Sequence, residues 1–491
     1  MWKLPRKGEK QNHPQNRSRQ ATGLVKSMRA IWPERMKGVI SMASYSPAGT
    51  VSVRPYVTVN NPSPAPSDAN WSARQILVVA ICFILNMLDG MDVLILSYVA
   101  PALSTDWQVS PERLGVVFSA GLAGMAAGGL IIAPMADKFG RRKLILASLI
   151  MMSVAMFGSA IATSITELIF SRFIVGIGIG SVLASMAALT AEYAPAKHRT
   201  FAVGFLQAGY PVGATITGFV VASLLPVHGW QAMLLGAAIL CAISIPLVWM
   251  LLPESIDFLL TRQPKGALEK ANRLLRAMGQ PQVDALPPKK VHEAQNVGVR
   301  GLLSEGRAAG TLLLWMATIF GFMTLYFVIS WIPKLAVEAG LPAKDAIYAG
   351  AIYNIGAFVG ITLIGLGGTR LDLRKLILGY MSAAAATLII FGSVAMPLIA
   401  TLGTAFLIGM FVQGGFNGCY PLAASLYPPE ARGTGIGWAM GMGRIGAVIG
   451  PMLGGFLLAA KVSLALIFGI FAVPILLSGI CVMLIRLPKA G

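Results

Sequence analysis

Charge is what this chain has least of. Asp, Glu, Lys and Arg make up 12% of its 491 residues, about half the share of a soluble chain. With 56% hydrophobic residues and a mean hydropathy of +0.71, that scarcity excludes a water-soluble globule. Histidine is almost absent: His13, His198, His228 and His292 are scattered and lie outside every apolar run. The four cysteines, Cys82, Cys241, Cys419 and Cys481, each sit within one. They read as buried small hydrophobes with neither disulfide nor metal spacing. No activated nucleophile, metal cluster or soluble catalytic domain is visible, so the chain reads as no enzyme, with no metal or other cofactor. Acids are outnumbered 20 to 39 by Lys and Arg, a net charge of +19. Such a balance suggests nucleic acid until the bases are placed.

Long hydrophobic runs are abundant. The first, Ile76–Pro101, is about a bilayer in length. Eleven more follow near 114–136, 144–163, 168–190, 201–225, 232–252, 311–332, 346–366, 376–395, 398–422, 436–459 and 464–485. The expected architecture is an all-α membrane protein of twelve transmembrane helices in two pseudo-symmetric six-helix bundles. These would be residues 75–252 and 311–485, joined by a polar middle loop, 253–310, whose stretch KGALEKANRLLRAMG predicts a surface helix. Residues 486–491 form a short C-terminus. Residues 1–74 are polar and without apolar periodicity, hence a disordered basic tail, of which residues 1–41 are expected to be dispensable. Met28, Met36 and Met42 are plausible later starts within it.

If both termini lie on one side of the bilayer, that side collects 33 of the 39 Lys and Arg. The other side holds Arg113, Lys334, Lys344 and Lys461. The positive-inside bias makes the first side cytoplasmic. It accounts for the basic charge with the lipid bilayer as partner and without nucleic acid.

Charges inside the spans need a reason, because each costs about 2.5–3.5 kcal/mol at the bilayer centre on insertion scales. Asp89 and Asp92 lie in the first span, on one face and about a helical turn apart. They are expected to couple transport to protons, with Asp89, deeper in the span, the carrier. Arg172 and Arg444 are the basic residues within spans. Arg172 either ties helices together or meets a substrate. Arg444 has no charged counterpart in the first half, where Pro211 holds the matching position, and is expected to bind substrate. Gly441, Gly443 and Gly446 spell a dinucleotide-like pattern, yet inside an apolar span such glycines serve helix packing.

The halves repeat. APMADKFGRRKL after the second span answers GLGGTRLDLRKL after the eighth, 232 residues on, and EYAPAKHRT answers LYPPEARGT. Repeats at half the chain length predict a site between two bundles. Asp137, Gly140, Arg141 and Arg142 resemble the loop motif of the major facilitator superfamily, with Ala133 for its first glycine and Lys138 for its first arginine. The second copy keeps Arg370, Arg374 and Lys375, with Thr369 and Asp372 at the other positions. Arg172 with Gly176 resembles the superfamily's fourth-helix motif. Within it, Asp89-Gly90-Met91-Asp92, Arg432-Gly433-Thr434-Gly435 and Gly443-Arg444-Ile445-Gly446 resemble the aromatic acid:proton symporters.

The resemblance implies a monomeric symporter of a bacterial plasma (inner) membrane, importing a small, aromatic organic acid with protons by alternating access. Sugar uptake, or efflux of drugs or metabolites, stands as the alternative; Pro253-Glu254-Ser255 is similar to the sugar porters. Asp137 and Arg141 read either as an orientation signal or as a gate, with Gly140, Arg142 and Arg199 in the gating group. Glu192 is a further candidate for proton coupling or for the same cytoplasmic network. Gln207, Tyr210, Tyr326, Trp331, Tyr353, Asn354, Gln413 and Asn417, with Phe416 and Tyr420, are the candidate lining of a site for a planar acid.

Overall fold

The computed structural model describes residues 71–288, 299–304, 306–368, 370–394 and 396–487. The expected tail, but for its last four residues, lies outside the described residues, as does Thr369. Ser72 closes the first helix with a reciprocal cap, accepting from the Gln75 main chain while Gln75 accepts from its own.

Among the described residues every regular element is helical, and eleven helices are long and apolar enough to cross a membrane. One of the eleven comprises two spans. Arg199–Leu251 has 53 residues, about 80 Å of helix against a hydrocarbon core of about 30 Å. It breaks at Gly229, where φ 76° and ψ 172° suit only a residue without a Cβ. Trp230 Nε1 donates to Asp106 at 2.9 Å on one side of the break. At the far end Arg142 donates to the Trp249 carbonyl, so the two arms return on each other. The twelve spans are therefore α1 (Ala73–Asp106), α2 (Pro111–Phe139), α3 (Arg141–Ala160), α4 (Ile165–Tyr193), α5 (199–228), α6 (230–251), α7 (Ala308–Glu338), α8 (Ala343–Gly367), α9 (Leu373–Ser393), α10 (Leu398–Leu426), α11 (Pro429–Ala459) and α12 (Leu464–Leu484).

Packing repeats with a period of six spans. α1 lies on α5 as α7 lies on α11, and α2 lies on α4 as α8 lies on α10. α3 meets α6, where Ser153 Oγ donates to the Ala238 carbonyl at 3.3 Å, as α9 meets α12. The repeat reaches single residues. Gly124 lies beneath the Phe173 carbonyl, and 232 residues on Gly356 lies beneath that of Phe406. A Cβ at either would overlap the carbonyl, so small residues set these helix separations. The halves meet through α2 with α11 and α5 with α8, again a symmetric pair.

One end of the bundle, called here the basic end, carries Ala73, Arg141–Lys143 and the middle loop. Hydrogen bonds between the halves gather towards the opposite end. Ser97 Oγ donates to the carbonyls of Ile329 and Ser330 at 2.8 and 2.9 Å. Ser119 Oγ donates to Val448 at 2.7 Å. Asn354 Nδ2 donates to Tyr98 Oη at 3.3 Å, which donates to Ala214 at 3.0 Å. The predicted loop helix is present as Ala267–Ala277, turning Ala267, Ala271 and Leu275 inward at four-residue spacing.

Candidate functional site

Asp89 and Asp92 are three residues apart, so their side chains point about 60° from each other around α1. That angle separates their environments. Asp92, fully buried, faces α4, where Arg172 meets both of its carboxylate oxygens at 3.0 and 3.2 Å and its main-chain carbonyl at 3.0 Å. Arg172 also approaches Met156 Sδ at 3.2 Å. Its fork is thus taken up by α1, which favours the helix-tying reading over a substrate contact. Removing one member of a buried pair costs about 3–5 kcal/mol because the other is left uncompensated. Asp92→Ala is therefore expected to lower the unfolding midpoint of the detergent-solubilised protein sharply. Asp92→Leu combined with Arg172→Met should recover much of the loss. Equal stability of wild type and Asp92→Ala in thermal unfolding would contradict this.

Asp89 has a different role open to it. It is 5% exposed, and its Oδ1 has no hydrogen-bond partner among the described residues. It lines a cavity of about 90 Å³ between the halves. α1 contributes Asn86 and Asp89, α5 Gln207, Tyr210 and Pro211, and α7 Phe322 and Tyr326; α10 contributes Gln413, Phe416, Asn417 and Tyr420, and α11 Arg444. The α10 residues recur at three- and four-residue spacing, one face of a helix. Arg444 and Pro211, which occupy matching positions in the two halves, line the same cavity.

Arg444 is held by neutral partners. Its Nη1 donates to Tyr326 Oη at 3.0 Å, and its guanidinium lies 5.4 Å from the Phe322 ring centre and 5.9 Å from that of Tyr326. Such faces hold a cation while leaving its remaining donors unneutralised. Phe322 and Phe416 pack at 4.2 Å between centroids, so a planar group entering here meets aromatic surface. The cavity thus offers a guanidinium, a buried carboxyl and ring faces. Among the described residues there is no cluster able to hold a metal.

Seven of the expected lining residues meet there with Arg444: Gln207, Tyr210, Tyr326, Gln413, Phe416, Asn417 and Tyr420. Trp331, Tyr353 and Asn354 are buried elsewhere. Trp331 Nε1 donates to the Pro451 carbonyl at 2.9 Å, and Asn354 serves the contact between halves. Asn86 and Phe322 were not anticipated. Asn86, one turn before Asp89 on α1, donates to the Leu206 carbonyl at 2.7 Å.

The gating candidates gather at the basic end. Gly140, at φ 101°, stops α2 and starts α3. A Cβ there would strike the Glu254 carboxylate. Glu254 Oε1 accepts from the main chain of Arg142 at 3.1 Å and of Ser255 at 3.0 Å, and Tyr193 Oη donates to its carbonyl at 2.8 Å. Arg141 pairs with Glu192, which accepts from Ser255 Oγ at 2.7 Å. Glu192 accordingly stands in this network and not beside Asp89. Asp137 is exposed, and its carboxylate has no ion-pair partner among the described residues; only its main-chain carbonyl is engaged, by Arg262 Nε at 2.9 Å. Arg199 is exposed. In the second repeat Asp372 caps α9, accepting from the Arg374 main chain at 3.0 Å. Hydrogen bonding from Arg374 holds the Asp372 carboxyl below the usual carboxylate range. Glu254 and Ser255 were missed as partners of Gly140 and Arg142, although the break Pro253-Glu254-Ser255 after α6 was a visible signal.

The sequence profile of the Major Facilitator Superfamily matches residues 82–420 and 314–491. The 4-hydroxybenzoate transporter PcaK of Acinetobacter baylyi is 32% identical over 417 residues, 83% of this chain and 90% of that protein. The gallate transporter of Pseudomonas putida is 31% identical over 423 residues, 84% of this chain and 94% of that protein. The xylose transporter XylE of E. coli, in a partially occluded inward open conformation, superposes with a TM-score of 0.66 at 18% identity. That match covers 83% of this chain and 97% of XylE, a likeness of fold alone. The chain belongs to the Major Facilitator Superfamily: it is a multi-pass membrane transporter related to carriers of aromatic acids, and not an enzyme.

Proposed function

We infer that this chain is a proton-coupled symporter that imports a small aromatic carboxylate. The observation that carries the reading is the pairing within one cavity of Arg444, set on aromatic faces, with Asp89, a buried carboxyl whose Oδ1 has no hydrogen-bond partner among the described residues. A carboxylate entering a low-dielectric cavity needs a cation, and a guanidinium fork can hold it through two parallel hydrogen bonds. Asp89 takes a proton on one side of the membrane and releases it on the other as the two halves rock about the cavity. The aromatic-acid transporters at about 30% identity support the substrate class.

The charge bias directs the basic end to the cytoplasm. The bonds from Ser97, Ser119 and Asn354 then lie on the outer side of the cavity, which favours an outward-closed conformation. In the gate, Asp137 is released here and engages a partner in the opposite conformation. Asp137→Asn is thus expected to lower the maximal uptake rate several-fold with substrate affinity held, as read from initial rates and equilibrium binding. A normal maximal rate with weakened binding would contradict the gate.

Counterflow in proteoliposomes tests the substrate class. Vesicles preloaded with unlabelled benzoate or hydroxybenzoate should trap labelled acid, whereas xylose or glucose should not compete. Exchange of sugar without exchange of acid would instead favour a sugar carrier.

A further inference from the structure

Gln413 is nine-tenths buried on α10, and its Oε1 has no hydrogen-bond donor among the described residues. It lines the same cavity as Arg444. The neighbouring amide one turn on, Asn417, donates its Nδ2 to the main-chain carbonyl of Gln413 at 2.9 Å and so does not serve the side chain. Resting on the aromatic-acid reading, we propose that Gln413 is a specificity residue whose amide oxygen accepts a hydrogen bond from a hydroxyl on the substrate ring, so that the carrier selects hydroxylated over unsubstituted aromatic acids.

The chemistry follows from what each part of the ligand can offer. A carboxylate is an acceptor only, so it matches Arg444 and cannot satisfy the Gln413 Oε1. An unsubstituted ring presents C–H edges and π-faces, which match Phe322 and Phe416 and leave the amide oxygen without a strong donor. A ring hydroxyl supplies that donor. A methoxy group has the same reach but only accepts. If water serves Gln413 in the free carrier, the same order holds: a hydroxyl reproduces the bond of the water it displaces, whereas a C–H does not. A buried acceptor left without a donor is unfavourable, and this discriminates against the unsubstituted acid. Tyr210 Oη, also buried without a partner among the described residues on the α5 wall, is the competing candidate. Unlike an amide oxygen, it can donate as well as accept, and so discriminates less between hydroxyl and methoxy.

The test is competition binding on the purified full chain with benzoate, 3- and 4-hydroxybenzoate and 4-methoxybenzoate, for wild type, Gln413→Met and Tyr210→Phe. Wild type should bind at least one hydroxybenzoate roughly tenfold or more tightly than benzoate, as expected of a site built around a substrate hydroxyl. The methoxy acid should bind no better than benzoate. Gln413→Met should abolish the preference by weakening the hydroxybenzoate relative to benzoate, and Tyr210→Phe should retain it. Equal wild-type binding of benzoate and hydroxybenzoates would overturn the proposal yet leave the aromatic-acid reading standing. So would a preference that survives Gln413→Met, or one that disappears only in Tyr210→Phe. Absence of binding to any of these acids would remove both readings. The wild-type comparison needs no variant and stands even where Gln413→Met fails to insert.

Discussion

Asp89→Asn is expected to abolish proton-driven accumulation while leaving the carrier folded and able to exchange acid down its gradient. Asparagine keeps the shape of aspartate but carries no titratable proton. Asp92 cannot replace Asp89, because Arg172 occupies both of its oxygens. Glu192 cannot either, since it is paired with Arg141 at the basic end. In proteoliposomes under an imposed proton gradient, the wild type should concentrate acid, whereas the variant should reach equal concentrations inside and out. Counterflow by the variant would show that it is folded. Concentrative uptake by Asp89→Asn would place the proton carrier elsewhere.

Arg444→Lys conserves charge and is nevertheless expected to raise the dissociation constant for the acid roughly ten- to a hundredfold, the range of losing one charge-assisted hydrogen bond. Lysine is a compact point charge, without the planar fork that can bond Tyr326 while presenting further donors to a carboxylate. It also lacks the flat guanidinium that lies near the Phe322 and Tyr326 rings. Arg444→Ala should bind no acid measurably. Arg172→Lys should instead disturb stability, since Arg172 contacts α1 and α3 and does not line this cavity. Wild-type affinity in both Arg444 variants, measured directly on purified protein, would sink the assignment.

Much of the fold was legible because membrane helices announce themselves by length and apolarity, and a duplicated bundle by its repeat. The 232-residue offset between the loop motifs is the spacing that separates Gly124 from Gly356 in the packed bundle. The hairpin of α5 and α6 was legible as two runs, and Gly229 marks the break between them. The candidate site was legible where charge had to be explained, at Asp89 and Arg444, whereas Asp92 and Arg172 pair with each other outside the cavity. It was less so where partners come from distant parts of the chain. Trp331 looked like ring-stacking surface until Pro451, 120 residues away, proved to take its indole N–H. The divergence of Asp89 and Asp92 follows from helical geometry, yet which of the two finds an arginine depends on how α4 packs. Glu254 was hidden for the same reason, since its partners Gly140 and Arg142 lie over a hundred residues upstream.

The central claim is that one cavity binds an acid at Arg444 and a proton at Asp89. The most direct test is substrate-induced proton uptake by the purified carrier in weakly buffered detergent, scanned from mildly acid to mildly alkaline pH, with the acid added as its anion. Linkage predicts uptake approaching about one proton per bound acid between the pH range where Asp89 titrates in the free carrier and the higher range where it titrates in the complex. In Asp89→Asn the acid should bind with no uptake at any pH. Binding without proton uptake across the whole range in the wild type, or equal uptake by Asp89→Asn, would contradict the account.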